Sequence, residues 1–170
     1  MTTKLTSAEC SKLLKKIQAE YDALSAKESM SCTFLASVGE DPESVRPKYD
    51  YAKTRAQLDE LALKIRRIKH ALNLFNTQTV IPGYGITIDE MLVLIPQLTV
   101  SKQRLAAMAA RLPKTREDSY AHSGGVIDYR YANYDIDTAN ADLQRVTDEL
   151  SNAQLALDAI NHSATLELDI

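Results

Sequence analysis

A chain of 170 residues can bury a core of its own, and 45% hydrophobic with 25% charged residues is an ordinary balance for a globular or coiled-coil-like protein. Five glycines and five prolines leave too few turn residues for an all-β fold. A net charge of −3 gives no global reason to expect nucleic acid or an anionic membrane as partner.

The opening MTTKLTSAECSKLLKK has no apolar run of signal-peptide length, and no later segment reaches the length of a membrane span. Cys10 and Cys32 are the only cysteines, without CxxC or Cys/His spacing. A reduced compartment suits them, so a cytoplasmic location is expected, with no membrane partner.

In chain order, Thr6 and Glu9 form a capping box, and Cys10, Leu14, Ile17, Tyr21 and Leu24 follow in four-three alternation. Ser31 to Val38 has strand character. A second helix is expected from about Pro47 to Asn76, with Leu58, Leu61, Ile65, Ile68, Leu72 and Phe75 on its seam. Thr77 to Ile81 reads as extended and leads into the turn Pro82-Gly83-Tyr84-Gly85. Thr87 and Glu90 make another capping box. They open a third helix carrying Met91, Leu94, Leu98, Leu105, Met108 and Leu112, which Pro96 should kink or split.

After the loop Ser123-Gly124-Gly125 comes VIDYRYANYDI, β-branched and aromatic at alternate positions, which reads as a strand. In a strand Ile127, Tyr129 and Tyr131 face one way while Asp128, Arg130 and Tyr134 face the other. Asp135 or Asp137 can cap the last helix. There Ile136, Ala139, Leu143, Val146, Leu150, Ala153, Leu157 and Ile160 sustain the heptad alternation. Thr165 to Leu168 can add a short terminal strand. The sum is a mainly α chain: a four-helix-bundle-like protomer with long heptad helices and a small β-sheet at one end, in a single domain over 1–170.

Catalytic signatures are missing: no P-loop, no GxSxG, no HExxH. His70, His122 and His162 never bring two imidazoles to one helix face, so neither a metal nor another cofactor is expected. Asp135 and Asp137 are better explained as helix-start residues than as an acid–base pair.

The stretch Lys64-Ile-Arg-Arg-Ile-Lys-His70 carries more. With Ile65 and Ile68 on the seam, Arg66, Lys69, Asn73 and Asn76 line the adjacent stripe, and Thr77 and Thr79 follow. Asparagine is a poor helix-interior residue, so two on one stripe beside arginine and lysine are more than filler. Together they can donate several bonds to phosphate, carboxylate or sugar. A solvated face is the competing account.

A second basic run spans Lys102, Arg104, Arg111, Lys114 and Arg116, while the last helix and tail are acidic. Pairing between antiparallel helices would absorb some of these cations. Tyr129, Arg130, Tyr131 and Tyr134 supply rigid contact area with polar tips, suited to a subunit interface or to stacking on a planar ring. Tyrosines tucked against helices are the plainer alternative.

The stretch IKHALNLFNTQTVIPGYGITIDEMLVLIPQL, read with VIDYRYANYDI and the helix after it, resembles a family of uncharacterised bacterial and prophage proteins. More distantly it is similar to proteins labelled septicolysin-like, in which a helix ending in an Asn-containing polar motif precedes a threonine-rich turn. The similarity spans roughly residues 58 to 168 and is most specific over Asn73 to Thr79, although the Asn-rich helix end here is longer and more apolar. It implies a helical, oligomeric fold and no established activity.

Together these features point to a non-enzymatic homo-oligomer that binds and sequesters a small anionic, nucleotide-like ligand, as a phage anti-defence sponge would. Its expected ligand-binding residues are Arg66, Arg67, Lys69, His70, Asn73, Asn76, Thr77 and Thr79, with Tyr129, Arg130, Tyr131 and Tyr134. Its partners are itself and that ligand. A structural adaptor that engages another protein through its heptads is the first alternative, and a nucleotide hydrolase with His70 as base is the second.

Overall fold

The computed structural model describes residues 2–117 and 127–170. The order is β1 (Thr2–Thr6), α1 (Ser7–Ser31), α2 (Pro42–Val45), α3 (Tyr51–Gln78), α4 (Ile88–Ala109), β2 (Lys114–Arg116), β3 (Tyr129–Tyr131), α5 (Ile136–Ser163) and β4 (Thr165–Asp169). The described residues are mainly helical, with four long helices close to where the periodicity places them, although α4 ends at Ala109, before Leu112. It falls into two compact units, Met1–Thr79 with Ile160–Ile170, and Val80–Ala159. Among the described residues, no helix is long and apolar enough to cross a membrane.

In the first unit the Thr6 hydroxyl accepts from the Glu9 N–H at 3.2 Å, and the Glu9 carboxylate accepts from the Thr6 N–H at 2.8 Å. That reciprocal bond satisfies donors that a helix start otherwise leaves unpaired. β1 pairs antiparallel with β4, Thr2 opposite Asp169 and Leu5 opposite Leu166. Alternation along β4 buries Leu166 and Leu168 and leaves Thr165, Glu167 and Asp169 outside. Those two leucines close a core with Cys10 and Ile17 of α1 and Ile68 of α3; Leu14, Leu61, Ile65, Leu72 and Phe75 pack around it. Fully burying one such aliphatic side chain contributes about 1.5–3 kcal/mol.

Several expectations change. The strand predicted for Ser31 to Val38 does not form, because α1 runs on to Ser31 and the chain then has no regular structure to residue 37. Leu35 and Val38 are fully exposed, since β propensity without a neighbouring strand edge has nothing to pack on. α3 starts later than Pro47, where the Asp50 carboxylate caps the Lys53 N–H at 3.0 Å. Thr77 and Gln78 belong to α3, and the extended stretch shrinks to a single bridge between Val80 and Thr87.

The second unit opens on that bridge. Gly83 and Gly85 take positive φ (85° and 69°) in the turn, which glycine adopts without steric cost. Ile81 at its base is wholly buried. Thr87 and Glu90 cap α4 reciprocally. Pro96 neither ends nor splits α4; it and Leu92, whose carbonyl loses the usual bond, lie on the exposed face. Ile88, Met91, Leu98 and Leu105 form the buried stripe of α4. Ala139, Val146, Leu150 and Ala153 form that of α5, whose start is capped by Asp135 accepting from Asp137 and Thr138. Instead of one sheet, the described residues form two two-stranded sheets, β1–β4 and β2–β3.

Leu150 is 8% exposed and Asn152 lies on the open face. Leu150→Asp is expected to lower stability by about 3–5 kcal/mol through an unpaired buried carboxylate. Asn152→Asp should stay within about 0.5 kcal/mol. Equal melting temperatures for the two variants would contradict this phase of α5.

The capping boxes predict a pH response. Bonds from the Thr6 and Thr87 backbone N–H groups, then from their hydroxyls, hold Glu9 and Glu90 below the usual carboxylate range. A depressed native pKa contributes stability above the unfolded value of about 4.3 and loses it as pH falls through the native one. Glutamine keeps the capping bond without titrating. Glu9→Gln with Glu90→Gln should therefore flatten the fall in melting temperature below about pH 5. An unchanged slope would contradict the account.

Candidate functional site

Along α3 two of the early cations are matched: Arg55 pairs with Asp59 at 3.0 Å and Lys64 with Glu60 at 2.6 Å, each four residues apart. After Glu60 the helix has no acid, so Arg66, Arg67 and Lys69 lack such a neighbour. Among the described residues these three make no ion pair. Ile68 is fully buried, which fixes the rotation of α3 and sends Arg66, Lys69, His70 and Asn73 to one side. There they line a groove of about 490 Å³ with Ala62 and Ile65 of the same helix and Gln18 and Tyr21 of α1. A smaller depression of about 350 Å³ adjoins it, sharing Gln18 and Lys69 and including Asp22.

Four expected residues thus meet in the groove, and four do not line it. Arg67 is exposed one position further round the helix, and Asn76 is half-buried beyond the groove. The Thr77 hydroxyl donates to the carbonyls of Asn73 and Leu74 at 3.1 and 3.0 Å. Thr79 is the C-cap, its N–H donating to the Phe75 carbonyl at 2.9 Å. Both threonines serve the helix end. Gln18 and Tyr21 of α1 line the groove without having been expected there, because Tyr21 fits the apolar seam of α1 and masks its own polar tip. The Gln18 amide donates to Asp22 at 3.0 Å.

The tyrosine stretch lies in the second unit. Its strand is only Tyr129–Tyr131, paired antiparallel with β2 so that Lys114 faces Tyr131 and Arg116 faces Tyr129. Tyr129 and Tyr131 are 45% and 62% exposed, so they do not tuck into a core. The Lys114 ammonium sits 4.0 Å from the Tyr129 ring centre and 5.4 Å from that of Tyr131, within cation–π range. Arg130 pairs with Glu117. Tyr134, beyond the strand, donates its hydroxyl to the Met108 carbonyl at 2.8 Å and so ties the start of α5 to the end of α4. Val126, the loop Ser123-Gly124-Gly125 and His122 lie outside the described residues.

The expected site therefore divides: Arg66 to Thr79 belong to the first unit and Tyr129 to Tyr134 to the second. Arg130 and Tyr134 already hold partners in their own unit. Among the described residues no group of three or more His, Cys, Asp and Glu side chains could hold a metal ion.

No family model matches the sequence, and no curated protein matches it significantly. The fold is similar to the crystal structure of a functionally unknown conserved protein from Corynebacterium diphtheriae, with a TM-score of 0.64 and 18% identity over 96% of this chain and 99% of that one. At that identity the likeness concerns the fold alone.

Tyr134→Phe removes one part-buried hydrogen bond and should cost about 0.5–1.5 kcal/mol. Tyr131→Phe, on an exposed strand, should cost almost nothing. Chemical denaturation of both variants checks the contrast, and equal losses would contradict a structural bond at Tyr134 and a free phenol at Tyr131.

Proposed function

We propose that the protein is a non-enzymatic homo-oligomer that binds a small anionic, nucleotide-like ligand in the α1–α3 groove and sequesters it. The observation that carries this is the set of unpaired cations: among the described residues Arg66 and Lys69 line the groove and make no ion pair, with Asp22 in the depression beside Lys69. Beside them stand Asn73 and His70, which can donate or accept at a phosphate or ring edge, and Tyr21, a face for a planar base. Arginine offers a fork to a phosphate and lysine a point charge.

Sequestration fits better than hydrolysis. His70 has no hydrogen-bonded carboxylate among the described residues to orient it, and a general base needs a positioned water or hydroxyl. Free thiols at Cys10 and Cys32 suit the cytoplasm, where a phage protein would meet a nucleotide signal.

Self-association is supported by apolar surface outside the groove. Leu92, Val93 and Val100 of α4 are about half exposed or more, and with Pro96 they follow helical spacing on one face. The exposed Tyr129 and Tyr131 add the side-chain type that interfaces favour. The same α4 face supports the adaptor reading, in which a foreign helix covers it.

Titration with nucleotides, together with light scattering, tests the proposal. The wild type should bind and give a mass well above 18.9 kDa. Arg66→Ala or Asn73→Ala should abolish binding while keeping assembly and melting temperature. An exposed cation contributes at most about 1 kcal/mol to folding, whereas a charge-assisted bond to bound phosphate is worth about 1.5–3 kcal/mol. Tyr129→Ala or Tyr131→Ala should weaken binding and assembly together. Unchanged affinity in both groove variants would reject the groove, and a monomer that still captures a foreign protein would favour the adaptor.

A further inference from the structure

A second hollow in the first unit lies at the other end of the α1–α3 pair, where α1 finishes and α3 begins. Its volume is about 360 Å³, within the range of small-molecule sites. Lysines from three segments line it: Lys27 of α1, Lys48 of the connection and Lys53 of α3. Among the described residues none of the three makes an ion pair. Three like charges around one hollow repel one another, and an anion lodged among them reverses the sign of that interaction.

The wall also carries two acids, Glu28 and Asp50, and neither pairs with a lysine ammonium. Glu28 accepts the Tyr49 hydroxyl at 2.8 Å, and Asp50 accepts the Lys53 backbone N–H at 3.0 Å. The Glu28 bond pushes the Tyr49 phenol up to about 12, so Tyr49 stays a neutral donor locked onto its carboxylate. Each carboxylate keeps a second oxygen that can accept from a ligand hydroxyl. Leu24 and Tyr49 add apolar surface to a wall otherwise lined by charged and polar residues.

We infer that this hollow is a binding site for a small phosphorylated polyol, its phosphate held by Lys27, Lys48 and Lys53 and its hydroxyls by Glu28 and Asp50. The site is separate from the groove that carries the proposed nucleotide binding. Amines recognise phosphate as point charges, and carboxylates beside them discriminate in favour of a hydroxyl-bearing body over a bare anion.

Lysine acetylation read by mass spectrometry tests it directly, in the full chain carrying Arg66→Ala and Lys69→Ala so that the groove does not contribute. Ribose 5-phosphate is the probe. At saturation it should slow acetylation of Lys27, Lys48 and Lys53 about tenfold while leaving the exposed Lys12 unchanged. Ribose should not protect, and inorganic phosphate should protect more weakly than ribose 5-phosphate. Lys48→Gln should weaken the protection of Lys27 and Lys53 with an unchanged melting temperature. Glu28→Gln should erase the advantage of ribose 5-phosphate over inorganic phosphate. The inference is overturned if the three lysines are not protected, if Lys12 is protected equally, or if inorganic phosphate protects as well as the sugar phosphate.

Discussion

Burial of Ile68 against Cys10, Ile17, Leu166 and Leu168 is the constraint on which the first unit depends. A helix has one rotational setting that places a given side chain inward, and at 0% exposure Ile68 leaves α3 no other. With 100° between successive residues, its neighbours' directions follow. Ile65, Leu72 and Phe75 go to the flank of the core, and Arg66, Lys69 and Asn73 go to its rim. Turning α3 by one residue would place Lys69 in the core, at the cost of an unpaired buried ammonium. The β1–β4 pair seals this seam from below, because the alternation of β4 puts Leu166 and Leu168 on the inner side only.

The charges show two patterns. Across most of the surface the ion pairs are local and exposed: Glu43 with Arg46, Asp59 with Arg55, Glu60 with Lys64, Asp142 with Arg145. Such pairs contribute little to stability, and these four involve only a minority of the 20 lysines and arginines. After Glu60 α3 carries no acid, and Arg66 and Lys69 of that acid-free stretch line the groove. Arg130 looked equally promising beside three tyrosines, yet Glu117 holds it. A cation's sequence neighbourhood alone therefore separates poorly the binding groups from the structural ones.

Features whose cause is local were legible in the sequence. Both capping boxes, the seams of the four long helices and the terminal strand follow from spacing over a few residues. β1 was not legible, since Thr2–Thr6 becomes a strand only through β4 at the other end of the chain. Ser31 to Val38 shows the reverse error, apolar and β-branched residues with no strand edge to meet. The α3 half of the groove could be read from one helix's period, whereas Gln18 and Tyr21 come from its packing partner. Tyr134 looked like a ligand residue because its phenol's partner, the Met108 carbonyl, lies on a different helix.

Retention of a nucleotide-like anion in the α1–α3 groove, chemically unchanged, is the central claim. Incubating the protein with a panel of linear and cyclic nucleotides, removing the unbound fraction, and releasing what remains by heat tests both halves at once. Chromatography of the released fraction should show one nucleotide class, intact and near stoichiometric with the chain, and none from Arg66→Ala. No nucleotide retained, equal retention by Arg66→Ala, or recovery as hydrolysis products would contradict the account.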